Sequence, residues 1–357
     1  MTARTTARIA GSGRFVPDTR VDNFELFALD SIREDFDLER ARGTLRGVDD
    51  VDSLTPEQVF DLWARQVTGI RARRVLKRES GLSTEDMCAT ASLLALDDAG
   101  MEADELDLIL VASLTESDTV PNPACTVASL IGAPHLGGYT LNGACAGFVY
   151  GLATGWASIQ SGLAKNVLVV SGDALSRVVD YSDVTTAILF GDGAGAVVLQ
   201  PSEAGDGILG IPVIGGEFAR EPLYLVGQGW ETEEDPRPTL RMLGGARILR
   251  NAIVTMAEVA DQALAAAGRT WEEVDLVIPH QANLRITTGL EKQLGLSDGR
   301  VIHNIEDYGN MSASTVALTL DEALHGLHGE LPDPALIVLT AIGGGYTTAA
   351  TVIEIRR

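Results

Sequence analysis

Residues 95–108 read ALDDAGMEADELDL, and residues 263–276 read ALAAAGRTWEEVDL. At a constant offset of 168, seven of these fourteen positions are identical: Ala95, Leu96, Ala99, Gly100, Glu105, Asp107 and Leu108. In each copy an amphipathic helix stops at a Gly, a short acidic turn follows, and an apolar run begins (LILVASL, LVIPH). A Gly past the last helical residue supplies the left-handed conformation that closes a helix, and the run behind it is strand-like. Two unrelated helix–Gly–strand units would look similar. The constant offset favours an internal duplication over that reading.

The flanking sequence predicts two similar α/β halves, residues 1–205 and 206–357. The first should hold strands at 107–114, 138–141, 167–171 and 195–199, with a helix from 145 to about 161. The second should hold helices at 246–267, 283–294 and from about 312. Its strands fall at 275–279, near 301, at 335–340 and at 348–355. Ile248, Leu249, Ala252, Ile253, Met256, Val259, Ala260 and Ala263 repeat at helical spacing. The strands are continuous apolar runs, so both sheet faces should be covered. CAGFVYGLATGWASIQS, 145–161, is apolar nearly all round and should lie between layers. Residues 21–62 differ, with twelve acidic and four basic residues. They read as a solvated surface insertion in preference to a binding element. Thr55-Pro56-Glu57-Gln58 should start a helix as N-cap, N1 proline and capping-box Gln.

Composition narrows the function. The chain has 357 residues, 45% hydrophobic and 22% charged, which suits a large core. No apolar run reaches the ~18 residues of a membrane span. The start, MTARTTARIAGSGRFVP, has no apolar signal region. A net charge of −23 argues against nucleic acid and anionic membranes as partners. Cys88, Cys125 and Cys145 are too few and scattered for a disulfide framework, so a reducing, cytoplasmic setting is expected.

Cys145 is the sharpest chemical candidate. It sits in Asn142-Gly143-Ala144-Cys145-Ala146-Gly147-Phe148, between a strand and the apolar helix. A helix N-terminus there can lower a thiol pKa into the range of about 3.5–7.5. Cys88 and Cys125 read as small core residues. His280 ends a strand in Ile278-Pro279-His280-Gln281-Ala282-Asn283, where open α/β sheets place ligands. Asn310 lies in a turn before a helix, and Gly343-Gly344-Gly345 links two strands. On residue type alone a structural His, a capping Asn and a tight hairpin would also explain these. Gly191-Asp192-Gly193-Ala194-Gly195 imitates a dinucleotide loop, but a strand follows it, so it reads as a structural turn. His325 and His328 lie in a polar loop without further ligands, so no metal is expected. Arg71, Arg73, Arg74, Lys77 and Arg78 read as a solvated strand edge or a phosphate contact.

Taken together, these residues resemble the β-ketoacyl-acyl-carrier-protein synthase III family of the thiolase superfamily. The resemblance rests on Thr68-Gly69-Ile70-Arg71, Gly143-Ala144-Cys145-Ala146-Gly147-Phe148, Phe190-Gly191-Asp192-Gly193-Ala194-Gly195, His280-Gln281-Ala282-Asn283-Leu284-Arg285-Ile286, Tyr308-Gly309-Asn310-Met311-Ser312-Ala313-Ser314 and Gly343-Gly344-Gly345-Tyr346. These stretches run in the family's order along nearly the whole chain. The resemblance implies a five-layered αβαβα fold from two duplicated halves, and a homodimer. It implies a decarboxylating Claisen condensation of an acyl thioester with a malonyl thioester through an acyl-cysteine, in fatty-acid or polyketide initiation. Acyl transfer without condensation and an inactive partner subunit are the alternatives.

By the same resemblance, Cys145 is the nucleophile, His280 and Asn310 hold the malonyl thioester carbonyl, and the Cys145 and Gly344 amides form the oxyanion hole. Trp63, Arg177, Asn283 and Arg285 correspond to the coenzyme A and phosphopantetheine entrance. Arg250, Arg285 and Lys292 correspond to the patch that receives acyl carrier protein. No bound cofactor or metal is implied; coenzyme A or phosphopantetheine thioesters are substrates. Three departures stand out. Residues 21–62 are longer than usual. Val67 replaces an Arg that helps hold adenine, which predicts weaker coenzyme A binding, with Trp63 and Arg177 still able to sandwich a ring. Val120 stands where a bulky residue closes the acyl pocket of some relatives. The last two predict a donor larger than acetyl, carried on a carrier protein.

Overall fold

The computed structural model describes residues 6–203, 205–217, 223–227, 239–296 and 299–356. The chain opens with β1 (Thr6–Phe15) and β2 (Arg20–Asp22), then α1 (Asn23–Phe27), α2 (Asp30–Asp35), α3 (Leu38–Thr44) and α4 (Pro56–Thr68). Next come β3 (Ala72–Arg74), α5 (Thr84–Ala99), β4 (Leu108–Ala112), α6 (Pro123–Leu130), β5 (Gly138–Leu141) and α7 (Gly147–Ser161). β6 (Val167–Ala174), α8 (Val184–Ala187) and β7 (Asp192–Ser202) lead to β8 (Gly207–Gly216), β9 (Leu223–Leu225) and β10 (Leu240–Met242). The remainder is α9 (Gly245–Ala267), β11 (Leu276–Pro279), α10 (Leu284–Leu294), α11 (Ile305–Tyr308), α12 (Ser314–Leu324), β12 (Ala335–Ile342) and β13 (Thr347–Ile355).

Two sheets carry the fold. One has the order β1-β7-β6-β4-β5, the other β8-β13-β12-β11. In the first, β1/β7 and β7/β6 are antiparallel and β6/β4 is parallel. In the second, β8/β13 and β13/β12 are antiparallel and β12/β11 is parallel. The same sequence of pairings occurs twice, and the repeated segments of the sequence end α5 and α9 and enter β4 and β11. Gly100 and Gly268 close those helices with φ of 62° and 66°. The duplication is thus visible in hydrogen-bond order as well as in residues.

Five layers result. α7 and α12 lie between the sheets, where Phe148, Val149, Leu152, Val316, Ala317 and Leu320 meet Val169, Leu199, Ile337 and Leu339. α5 and α6 cover the outer face of the first sheet through Met87, Ala91, Ala95, Ala124 and Val127. α9 covers the outer face of the second through Val259, Ala260, Ala263 and Leu264. β6 and β12 are buried at every position, as their unbroken apolar runs require. Among the described residues no helix is long and apolar enough to cross a membrane.

Residues 21–62 correct the sequence reading. They are not a solvated appendage. Leu26, Ile32, Phe36, Val59 and Phe60 are buried against Val184, Ala187, Ile188 and Phe190. Phe36 packs edge-on to Phe60, with ring centroids 5.0 Å apart, and lies 5.3 Å from Trp63. Each such ring is worth about 1.5–3 kcal/mol of apolar burial, which offsets the ordering cost of an acidic segment. α4 starts as anticipated: Pro56 sits at N1, and the Thr55 amide donates to Gln58 Oε1 at 2.9 Å. The basic run also differs from expectation. Arg73 is only 2% exposed and donates to Asn23 Oδ1 and Ile188 O, while Arg71 pairs with Glu306 and Asp307. Burial lowers the Arg73 guanidinium to about 10, still charged at neutral pH.

Gly191–Gly195 is structural but is not a turn before a strand: from Asp192 on it is the strand β7 itself. β7 begins at Asp192, whose carboxylate accepts from the Leu76 and Ser176 amides. A Cβ on Gly195 would meet Ala317 backbone at 2.8 Å, so this Gly lets α12 lie against the strand. Gly195→Val should therefore destabilise the protein by about 1–3 kcal/mol in urea unfolding. Gly43→Ala, whose Cβ meets nothing within 4 Å, should be neutral or stabilising. Equal stability of the two variants would contradict this packing.

Candidate active site

Cys145 lies in a 3₁₀ turn, Ala144–Ala146, that leads into α7 at Gly147. The helix proper thus starts two residues after the cysteine. Ala144 has φ of +47°, a strained left-handed geometry for a residue with a Cβ, and it turns the thiol toward the centre of the molecule. The Asn142 side chain holds this turn by accepting from the Ala144 amide at 3.1 Å. From the opposite sheet comes the β12–β13 connection. A Cβ on Gly343 would stand 2.7 Å from the Cys145 nitrogen and 2.8 Å from Ala144 Cβ. Only Gly permits this approach. Thr347 pins it, its hydroxyl donating to Gly143 O at 2.7 Å. The amides of Cys145 and Gly344 are both aimed at the sulfur.

The thiol is not acidic. Burial pushes Cys145 up to about 12, and the Asp173 carboxylate adds to the rise. The Ser312 hydroxyl and the two amides pull the other way but do not prevail. This overturns the expectation of a thiol lowered by the helix terminus; desolvation outweighs the dipole. Asp173 is itself fully buried, and burial lifts it to about 7 despite bonds from the Leu114 amide and the Thr115 and Ser113 hydroxyls.

His280 is 1% exposed at the end of β11, its amide donating to Thr340 O. Burial drops its pKa to about 3, so the ring is neutral at physiological pH. Its Nδ1 lies 2.7 Å from Thr315 Oγ1. That hydroxyl has Ser312 O at 3.0 Å as its other acceptor and receives the Gln281 amide at 3.2 Å. Asn310 has its Oδ1 engaged by the Ser312 amide at 2.9 Å, which leaves Nδ2 for the cavity. Asn310 does not cap α12, whose N-cap is Ala313 without a side-chain bond; its oxygen closes the turn before the helix, and it lines the cavity.

Cys145, His280, Asn310 and Gly344 line one cavity of about 580 Å³. Trp63, Asn283 and Arg285 lie along the same cavity, and so does Arg250, which was expected on the docking patch. Asn283 caps α10 and donates to Val67 O at 3.0 Å, tying α10 to α4. Lys292 is exposed in the last turn of α10, away from the cavity lining.

Three residues lie elsewhere than expected. Arg177 is not at the mouth with Trp63. It lines a second cavity of about 980 Å³ on the other side of Cys145, with Thr115, Leu175, Phe190, Leu223 and Leu240. Its guanidinium donates to Leu82 O and sits near Asp192, so no ring can be sandwiched between Trp63 and Arg177. Val120 is 85% exposed and lines neither cavity. Its neighbour Thr119 lines the second one. Cys125 is exposed rather than a core residue, whereas Cys88 is buried as read. His325 and His328 do have carboxylates beside them, Asp321 and Glu322 respectively. Among the described residues no three His, Cys, Asp or Glu side chains cluster as a metal site. Sequence reading missed Thr315 altogether. Its one signal is that it follows Asn310 by five residues, on the turn that opens α12.

The comparisons with known proteins agree with this geometry. Models for 3-oxoacyl-(acyl-carrier-protein) synthase III and for its C-terminal region match residues 139–214 and 264–355. The β-ketoacyl-(acyl-carrier-protein) synthase III of Desulfitobacterium hafniense is 37% identical over 352 residues, covering 97% of each chain. Synthase III 1 of Bacillus cereus is 36% identical over 97% of this chain and 98% of its own. The solved structure of the Aquifex aeolicus synthase III superposes with a TM-score of 0.81, at 34% identity over 98% of this chain and 99% of that one. A priming β-ketosynthase from a polyketide biosynthetic pathway gives 0.84, at 31% identity over 100% and 98%. The chain is a thiolase-fold α/β enzyme, and it belongs to the 3-oxoacyl-(acyl-carrier-protein) synthase III family.

Proposed function

We propose that the chain runs its family's decarboxylating condensation with Cys145 as nucleophile and His280 and Asn310 as the donor pair. One observation carries this assignment. A buried thiol, a neutral imidazole and an amide with its oxygen already engaged meet on one cavity floor under two convergent backbone amides. In the first half-reaction the Cys145 sulfur attacks an acyl thioester. The oxyanion forms against the Cys145 and Gly344 amides, and the donor thiol leaves. In the second, the C–CO₂ bond of a malonyl thioester breaks and its electron pair enters an enolate. His280 Nε2 and Asn310 Nδ2 donate to that oxygen. The carbanion attacks the acyl carbonyl, the C–S bond breaks, and Cys145 is regenerated. Fixed donors of this kind are worth about 10²–10³ in rate each.

For Nε2 to donate, Nδ1 must accept, and Thr315 is the group that can supply that proton. A neutral ring matters too, because a buried imidazolium would be costly. The apolar cavity passing Trp63, Asn283 and Arg285 suits a phosphopantetheine arm. Arg250, Arg285 and Lys292 are exposed and have no carboxylate partner among the described residues, which suits docking of acidic acyl carrier protein. The second cavity suits the acyl chain in place of the Val120 position, with room for groups larger than acetyl. The enzyme works in the cytoplasm as a homodimer, in fatty-acid or polyketide initiation.

Cys145→Ala should abolish the acyl adduct seen by mass after incubation with an acyl thioester, while Cys88→Ala and Cys125→Ala retain it. An adduct mapped to either of the other cysteines would refute the assignment.

A thiol raised to about 12 holds roughly one part in 10⁴ of thiolate at pH 8. Iodoacetamide labelling of Cys145, followed by peptide mass to separate it from exposed Cys125, should climb about tenfold per pH unit between pH 7 and pH 10. A plateau near neutrality would contradict the burial argument.

His280→Ala and Asn310→Ala should still form the acyl-enzyme but lose malonyl decarboxylation about 10²–10³-fold. Thr315→Val should behave like His280→Ala in decarboxylation, and Thr315→Ser should restore it. Full decarboxylation by the Val variant would show that Thr315 does not set the ring.

A further inference from the structure

The acylation described above leaves one proton without a destination. Cys145 is a buried, neutral thiol, so its S–H proton has to leave as the sulfur attacks. His280 is not free to take it. In the tautomer the condensation needs, Nε2 already carries the ring proton and Nδ1 accepts from Thr315.

A buried carboxyl also faces the sulfur. Asp173, the next-to-last residue of β6, is fully buried. Its Oδ1 is crowded, accepting the Leu114 amide at 2.7 Å and the Thr115 and Ser113 hydroxyls at 3.1 and 3.2 Å. Its Oδ2 is buried and has no hydrogen-bond partner among the described residues. The Ser312 hydroxyl is buried and unpartnered in the same way. It is close enough to Cys145 and to Asp173 to favour the ionised form of each, yet it closes a hydrogen bond to neither.

Ser312 is held in this place at a cost. Its φ is +54°, in the left-handed region that Gly would enter without strain. Two contacts fix its turn. The Ser312 amide donates to Asn310 Oδ1 at 2.9 Å, and the Ser314 and Ser171 hydroxyls lie 2.9 Å apart. The second contact ties the turn to β6 two residues before Asp173. A strained residue whose hydroxyl stands between a thiol and an open carboxyl oxygen points to a function.

We propose that Ser312 and Asp173 form a proton relay for Cys145: as the sulfur attacks the acyl carbonyl, its proton passes to Ser312 Oγ while the Ser312 proton passes to Asp173 Oδ2. The S–H bond breaks, the S–C bond forms, and the carboxylate becomes a carboxylic acid. The donor's thiolate takes its proton from water as it leaves. When the condensation expels the Cys145 sulfur, the same two transfers run backward and restore the thiol. Burial sets Asp173 at about 7, so near neutral pH both of its forms are present, as a group that accepts and then returns a proton requires. Cys88 on α5 also faces Asp173, and burial together with the Asp173 and Glu85 carboxylates keeps its thiol neutral. Glu85 is occupied by the Ser117 amide and hydroxyl. The inference rests on the reading of Cys145 as the nucleophile.

The test separates the two half-reactions. Acylation of Cys145 by butyryl-pantetheine is followed by rapid quench and mass, and decarboxylation by CO₂ release from malonyl-pantetheine. Asp173→Asn keeps the shape of the side chain, with an oxygen for the three Oδ1 donors, but its amide nitrogen cannot take the proton. Ser312→Gly removes the hydroxyl and suits the φ of +54°, so this variant should keep the fold. Each should slow acylation at saturating butyryl-pantetheine about 10²-fold or more, with KM and CO₂ release unchanged. Unchanged acylation in either variant overturns the relay. An equal loss of acylation and CO₂ release also overturns it, because it would make the pair structural. A wild type that forms no adduct on Cys145 overturns the nucleophile reading instead.

Discussion

The catalytic floor depends on a backbone-to-backbone contact between loops from the two sheets. The turn that presents Cys145 belongs to the first sheet, and Gly343–Gly345 belongs to the second. They touch so closely that a single Cβ at Gly343 would fall inside the van der Waals envelope of the Cys145 amide. The Thr347 hydroxyl and Gly143 carbonyl fix the approach. Ala144 absorbs the strain of it in its left-handed φ. Everything the site offers by way of backbone amides follows from this contact. Duplicating one α/β unit and packing the copies face to face creates such a seam, with α7 and α12 filling its interior.

Burial then sets the electrostatics. The same desolvation that lifts the Cys145 thiol to about 12 drops His280 to about 3 and lifts Asp173 to about 7. All three groups are therefore driven toward their neutral forms. On the proposed chemistry that is an advantage: charge appears only as the reaction proceeds, against donors that are already oriented. A buried imidazolium would bind the negatively charged malonyl group tightly before decarboxylation, and ground-state binding of that kind does not speed the chemical step. Asn310 and His280 are held by one turn, through the Ser312 amide and the Thr315 hydroxyl.

Much of this was legible in the residues. The repeat at 95–108 and 263–276 exposed the duplication, because its helix ends need Gly and its strands must be apolar on both faces. Cys145, His280 and Asn310 stood out by their position at strand–helix junctions. What stayed hidden depends on where side chains point after the layers have packed. Arg177 follows β6 by three residues, yet its guanidinium turns to Leu82 and away from Trp63. Arg73 looked solvated because its neighbours are basic, but Asn23 and Ile188 draw it inside. The acidic character of 21–62 concealed Leu26, Ile32, Phe36 and Phe60, whose spacing over several short helices leaves no single strong periodicity. The thiol was misjudged for a physical reason: sequence shows the helix terminus but not the depth at which it is buried.

The proposed chemistry requires His280 to be a neutral ring whose pocket-facing nitrogen carries the proton. Nitrogen-15 NMR of histidine-labelled protein, with His280 assigned by difference from His280→Ala, reads this directly. The expected result is a neutral, Nε2-protonated ring from about pH 5 to pH 9 with no titration between those limits. A ring that titrates near 6.5, or one protonated at Nδ1, would contradict it.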